Sequence, residues 1–383
     1  MPRLADILSV IDGWFDPSWA QSWDAVGLVC GDPAEPIDRI LLAVDALPAT
    51  VDDALALPAQ LLITHHPLLL AGVHGVPADD PKGALVHRMI RGGLAHLVVH
   101  TNADVANPGV SDALGARLGL ADLRPLEVQD GEPMDKLVVF VPLEHAERLI
   151  DALAASGAGA IGDYDRCAWT NEGSGTFRPL AGADPTIGRI GQIEVVPEAR
   201  VEMVVPARRR SAAVAALRAA HPYEEPAFDL LRQSPLPSRR GTGRIGELPA
   251  PMTLRAFTAH AAARLPATTW GVRAAGDPDR DVRTIAVSGG AGGSLAGLAR
   301  ESGADVLLTA DLKHHPTVEE VSERAPGGIA LVDAAHWATE APWLDEVAVR
   351  MRNHFGTSVD VLVSQRVTDP WTLHEMSIRE EST

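Results

Sequence analysis

Histidines and carboxylates recur in this chain just after apolar runs. His65-His66 follows Gln60-Leu61-Leu62-Ile63-Thr64, and Asp104 follows Leu97-Val98-Val99-His100-Thr101-Asn102. His336 and Glu340 follow Ile329-Ala330-Leu331-Val332-Asp333. Each run reads as a buried parallel strand of an α/β sheet. Ligands of open α/β sheets collect at the carboxyl ends of the strands. Three strand ends would thus bring three imidazoles and two carboxylates to one sheet edge, an inventory that suits two divalent ions of the zinc, iron or manganese kind.

Taken singly, each motif has a plainer explanation. His65-His66-Pro67 could be two ordinary loop histidines before a proline that stops the strand. If a helix starts near His336, the i,i+4 spacing places His336 and Glu340 on one face, but Glu340 would also suit a helix start as a capping acid. Asp104 could bridge two ions or serve as a turn residue before Pro108-Gly109. His100 could be an extra ligand, a residue that orients one, or a proton relay. Further along, Ser288-Gly289-Gly290-Ala291-Gly292-Gly293-Ser294 is a Gly-rich turn whose backbone N–H groups could receive a phosphate. Asp311, Lys313 and His315 close another strand and could orient ligands, bind substrate or form a structural ion pair, and His315 could relay a proton. There is no Gly-x-Ser-x-Gly elbow, and neither Cys30 nor Cys167 has a metal-binding spacing.

These residues need strands and helices in alternation. Leu4, Ile7, Leu8, Ile11 and Phe15 have helical spacing, and a strand follows at Ile40–Val44. The βαβ pattern continues to about Leu126, which predicts a mostly parallel sheet flanked by helices. Near residue 130 the pattern changes. Strands are expected at Met134–Val141, Gly191–Val196, Val201–Val205 and Ala227–Leu231, helices at Glu144–Ser156 and Ser211–Ala220, and a hairpin at Tyr164–Thr170 with Gly175–Leu180. That order is β-α-β-β-α-β, the ferredoxin-like unit. Pro235, Pro237 and the basic, Gly-rich Ser238–Gly246 read as a return linker, after which strands are expected at Thr284–Val287, Val306–Leu308 and Ile329–Val332. The expected organisation is an α/β core made of residues 1–128 and 243–383, interrupted by an inserted α+β module over 129–242.

Composition sets outer limits. At 383 residues the chain is long enough for two or three domains. No run approaches the roughly 20 apolar residues of a membrane span, and the N-terminus shows no basic region followed by an apolar stretch. Two distant cysteines fit free thiols and a cytoplasmic location. A net charge of −18 argues against direct nucleic-acid or anionic-membrane binding. An anionic nucleotide beside metal ions stays compatible, because the ions carry the positive charge.

Taken together, Trp23-Asp24-Ala25-Val26-Gly27-Leu28, Thr64-His65-His66-Pro67-Leu68, His100-Thr101-Asn102-Ala103-Asp104, Gly243-Arg244-Ile245-Gly246-Glu247-Leu248, Thr309-Ala310-Asp311-Leu312-Lys313-His314-His315 and His336-Trp337-Ala338-Thr339-Glu340 resemble the Nif-three-like family. Its bacterial members carry the name GTP cyclohydrolase 1 type 2 homolog. The resemblance spans nearly the whole chain. It implies a dinuclear metal site with ligands His65, His66, Asp104, His336 and Glu340. It also implies a homo-oligomer, typically a hexamer, and hydrolysis of a nucleotide-like substrate. His221-Pro222-Tyr223-Glu224-Glu225-Pro226-Ala227 resembles a signature of the insert in longer members, a domain similar to trimeric PII and CutA proteins. An alternative is a non-enzymatic metal-binding or regulatory oligomer whose insert senses a small molecule or metal. Ala25 stands where Asn is usual, and Ala310 and Ala335 where Gly is usual. Ala335 precedes a ligand, so a positive φ there would be costly.

Overall fold

A computed structural model of the chain describes residues 1–321 and 328–375. The chain divides into two compact units, one of Met1–Gln129 with Arg239–Thr383 and one of Asp130–Ser238. The smaller unit lies within the stretch expected to be inserted. Its two ends meet, since Gly131 N donates to Leu236 O at 2.8 Å. Among the described residues no helix is long and apolar enough to cross a membrane.

The first half of the larger unit supplies strands β1 (Gly27–Cys30), β2 (Arg39–Ala43), β3 (Leu61–Thr64), β4 (Ala95–Val98) and β5 (Ala121–Asp130). The smaller unit holds β6 (Met134–Pro142), β7 (Ala168–Phe177), β8 (Glu194–Pro206) and β9 (Phe228–Arg232). The return half adds β10 (Pro237–Thr253), β11 (Val272–Ala275), β12 (Asp281–Val287), β13 (Val306–Ala310), β14 (Ala330–Ala334) and β15 (Asp360–Val363).

The larger unit has two sheets, ordered β1-β4-β3-β2-β15 and β11-β14-β13-β12-β10-β5. β15, β2, β3 and β4 run parallel, as do β12, β13 and β14, whereas β1, β10 and β11 are antiparallel to their neighbours. The central parallel strands β3, β4, β13 and β14 are buried along their whole length because helices cover both faces. Helices Leu4–Trp14, Val110–Leu118, Leu254–Arg264 and His336–Phe355 lie between the sheets. Their Ile7, Leu114, Phe257 and Val347 share one core with Leu42 and Ile63 of one sheet and Val287 and Leu308 of the other. Pro48–Ala56 and Pro81–Arg91 cover the outer face of the first sheet, and Ala296–Glu301 that of the second. With both sheets bound to the same helices, the carboxyl ends of their parallel strands open onto one region.

The smaller unit is a four-stranded antiparallel sheet ordered β7-β8-β6-β9, with helices Ala146–Ala155 and Arg210–Ala220 on one face. This is the ferredoxin-like strand order. Its core, built on Leu137, Val139, Val201, Leu149 and Leu217, is separate from those of the larger unit.

Two expectations need correction. The hairpin expected over 164–180 is a single ten-residue strand, β7, paired with β8, in which the stretches 191–196 and 201–205 merge. Within it Gly175 makes room for a neighbour: a Cβ there would sit 2.0 Å from Glu198 Oε2. Ser238–Gly246 is not a linker but part of β10. A Cβ on Gly241 would lie 2.1 Å from Glu127 O, and one on Gly246 2.6 Å from Ala121 O, so these glycines let β10 approach β5 closely. Arg244, fully buried, pairs with Asp112 at 2.8 Å and donates to the Gly241 and Gly243 carbonyls.

Candidate metal centre

β3 ends at Thr64, and His65-His66 occupy the turn beyond it. Adjacent residues point to opposite faces of a regular strand, but here the strand has ended and both rings face one cluster, 5.1 Å apart. β4 delivers His100 and the short helix Thr101–Asp104. β14 delivers His336 at the first position of helix His336–Phe355, with Glu340 one turn on. His66 Nε2 lies 3.1 Å from Glu340 Oε2, His336 Nε2 lies 3.0 Å from Glu340 Oε1, and His65 Nε2 lies 3.5 Å from the same Oε1 and 3.8 Å from Asp104 Oδ1. The residues expected at the three strand ends therefore meet.

Each imidazole has its outer nitrogen fixed by an oxygen. His65 Nδ1 is 3.0 Å from Val99 O, His66 Nδ1 is 2.8 Å from Asp45 Oδ1, His100 Nδ1 is 2.8 Å from Asp24 Oδ1, and His336 Nδ1 is 2.6 Å from Asp311 Oδ2. Carbonyls and carboxylates accept, so Nδ1 carries the proton in all four rings and Nε2 is the atom presented to the cluster. This pattern orients metal-ligating histidines. Asp24, Asp45 and Asp311 are fixed in turn. Asp24 accepts from Thr101 N at 3.1 Å, Asp45 is bonded by the Thr368 hydroxyl, and Asp311 sits in a left-handed conformation at φ 56°.

The cluster is electrostatically tense. Burial opposes a charge on Glu340, yet His66, His65 and His336 hold its carboxyl well below the usual range. Burial also disfavours charge on His66 and His336, but Glu340 with Asp45 raises the first to about 11 and Glu340 with Asp311 raises the second to about 9. Burial, with the Glu340 charge, pushes Asp104 up to about 6 against the pull of His65. His100 goes the other way: burial and the neighbouring His65 lower it despite Asp24, so its ring is neutral. The buried carboxylate of Glu340 thus requires positive charge beside it, which a divalent ion supplies as well as imidazolium does.

The donor set suits such an ion. His65 Nε2 and Glu340 Oε2 are buried without a hydrogen bond. His65, His66 and His100 bring ligand atoms within 4.8 Å of one another, and so do His66, His336 and Glu340. His100 joins one of these groups directly. Asp104 stands outside both, with its nearest approach at His65. His315 is not part of the cluster. It is exposed on helix His314–Val321 with its ring against His314, because the left-handed turn at Asp311 ends the strand edge before it.

The Gly-rich turn Ser288–Ser294 does not form the open row of donors expected of a phosphate cradle. The N–H groups of Gly289, Gly290 and Gly292 are taken by Ser111, Thr339 and Thr309. Its glycines serve close packing: at Gly290, φ 61°, a Cβ would lie 2.6 Å from Glu340 Oε1 and 3.1 Å from His336 Nε2. Ala335 has φ −62°, so alanine sits there without strain.

Two clefts flank the cluster. One, about 640 Å³, is walled by Trp23, Trp270 and Trp371 and reaches His66, His100 and His336. The other, about 460 Å³, is lined by Thr101, Ser111, Thr242, Ser288 and the Gly-rich turn, and reaches Asp104, His100 and Glu340. Sequence reasoning missed Asp24 and Asp45 as partners of His100 and His66, although Asp45 carries the same signal as the clustered residues, a carboxylate just after a strand.

The Duf34/NIF3 (NGG1p interacting factor 3) family model matches residues 2–370. A GTP cyclohydrolase 1 type 2 homolog of Mycobacterium leprae is 50% identical over 381 residues, covering 99% of this chain and 98% of that one. One of Bacillus subtilis is 35% identical over 370 residues, covering 96% and 97%. Among solved structures, a Bacillus cereus protein related to NIF3 superposes with a TM-score of 0.78 at 34% identity, over 97% of this chain and 99% of the other.

Proposed function

Because the chain belongs to the Duf34/NIF3 family, we propose that it is a metal-dependent hydrolase with a dinuclear centre, acting on a nucleotide-like substrate. The observation that carries this reading is the pair of ligand groups, His65-His66-His100 and His66-His336-Glu340, within a cluster of imidazoles locked at Nδ1. His65, His66, Asp104, His336 and Glu340 are the proposed ligands, with His100 beside them. Two divalent ions, zinc, iron or manganese, would polarise a substrate and activate water there. The chain's own groups do the rest. Glu340 and Asp104 balance the charge. Asp24, Asp45 and Asp311 hold the rings in one tautomer. The indoles of Trp23, Trp270 and Trp371 offer stacking faces to a planar base. The Ser111 and Thr242 hydroxyls of the opposite cleft offer donors to polar or phosphate groups. The name of the relatives adds a specific reaction, hydrolytic opening of guanine at C8 with loss of formate.

Elemental mass spectrometry of the wild type and of Glu340→Gln, paired with formate release from GTP, tests the reading. About two ions per chain, lost with Glu340→Gln together with formate release, are expected. A protein that stays metal-free after reconstitution would sink the centre. Two ions without turnover of any nucleotide would sink the hydrolase and favour a regulatory metal protein. His100→Ala separates its two roles: loss of an ion makes it a ligand, and retained ions with lost turnover make it the proton relay.

A further inference from the structure

The motif His221-Pro222-Tyr223-Glu224-Glu225 takes no part in the metal centre. It closes a cavity of about 570 Å³ within the Asp130–Ser238 unit. Along β8, Ala199, Val201 and Met203 face the helices, so Glu198 and Arg200 point to the opposite face of the sheet. Phe140 on β6 does the same. The cavity sits on that face and is roofed by residues from 178–187. The roof is pinned to the motif: Asp184 N donates to Glu224 Oε2 at 3.0 Å, and Thr186 Oγ1 donates to Pro222 O at 2.7 Å. His221 acts as a bracket. Its Nδ1 accepts from Tyr223 N at 3.0 Å, so its Nε2–H donates to Phe140 O at 2.9 Å. That bracket sets Tyr223, whose hydroxyl donates to Glu198 Oε1 at 2.9 Å.

Glu198 is only 8% exposed. The Tyr223 hydroxyl satisfies one of its oxygens, and a carboxylate can accept several more bonds. The arginine beside it, Arg200, pairs with Glu202 at 2.9 Å. Phe140, Phe177 and Tyr223 surround the cavity with aromatic faces, which attract cations. Its volume is that of a small-molecule site. We propose that this cavity binds an organic cation, a primary amine carried on an apolar body, with Glu198 as its counter-ion.

Isothermal titration of the full chain with 2-phenylethylamine, 2-phenylethanol and 3-phenylpropionate tests this. The amine is expected to bind at least about tenfold tighter than the alcohol, the margin of one charge-assisted hydrogen bond. Glu198→Gln should erase that margin while metal content stays unchanged. Gly175→Ala keeps the carboxylate but displaces it, because a Cβ there would meet Glu198 Oε2 at 2.0 Å; it too should weaken the amine about tenfold or more. Equal binding of amine and alcohol, tighter binding of the acid, no binding of any probe, or wild-type amine affinity in either variant would each overturn the proposal.

Discussion

At the scale of single residues, the outer partners of the histidines matter as much as the rings. Asp311 bonds His336 Nδ1 at 2.6 Å and is exposed, so Asp311→Asn removes the charge behind the ring, though not the acceptor, with little effect on packing. Metal affinity should fall about 10- to 100-fold, read by competition with a chromophoric chelator, while the melting temperature in excess chelator should stay within a degree or two of wild type. A second residue-scale effect concerns His96, which supports the site from within β4. It is fully buried, its Nε2 bonds Thr64 Oγ1 at 2.8 Å, and its Nδ1 has no partner. Burial lowers its pKa from 6.5 to about 4. The unfolded chain takes up this proton below about pH 6.5, whereas the folded chain resists until about pH 4. Stability is therefore full above the upper value and is lost as pH falls through the window, by roughly 3 kcal/mol for a shift of this size. Urea melts of chelated protein across that window should show the slope, and His96→Gln should flatten it. An unchanged slope in the variant would remove His96 as its source.

Elements place these residues, and their legibility in the sequence was uneven for physical reasons. The parallel strands were readable because burial on both faces demands unbroken apolar runs, and the clustered histidines and Glu340 were readable because they follow those runs closely. β10 was not, since its glycines and Arg244 mimic a linker. Only the tertiary neighbours β5 and Asp112 explain them. His314-His315-Pro316 imitates His65-His66-Pro67 in letters, but the backbone at Asp311 sends the second pair onto an exposed helix. Pairings such as His100 with Asp24, 76 residues apart, have no local signal at all. The turn after β12 gives the prediction at this scale. Gly290→Ala places a methyl group against Glu340 and His336 in a left-handed backbone, at a folding cost of about 1–2 kcal/mol. Metal stoichiometry should drop by at least one ion per chain while the far-ultraviolet circular dichroism is retained. Full occupancy would mean that Glu340 can move without consequence.

For the molecule as a whole, the two units have separate cores, and the ends of the smaller one meet at Gly131 and Leu236. Removing Asp130–Ser238 and joining Gln129 to Arg239 through a short turn should leave a folded protein with wild-type metal content. The excised segment expressed alone should give a dispersed amide spectrum. A shortened protein that precipitates or carries no metal would show that the larger unit depends on the smaller one.

The proposed ligands are also far apart in time. His65, His66 and His100 leave the ribosome in the first third of synthesis, whereas His336 and Glu340 come after the smaller unit has been made. For most of translation these three histidines therefore exist without the Glu340 carboxylate. Any ion captured then would lack Glu340, and the proposed centre is complete only after the final helix has docked between the sheets.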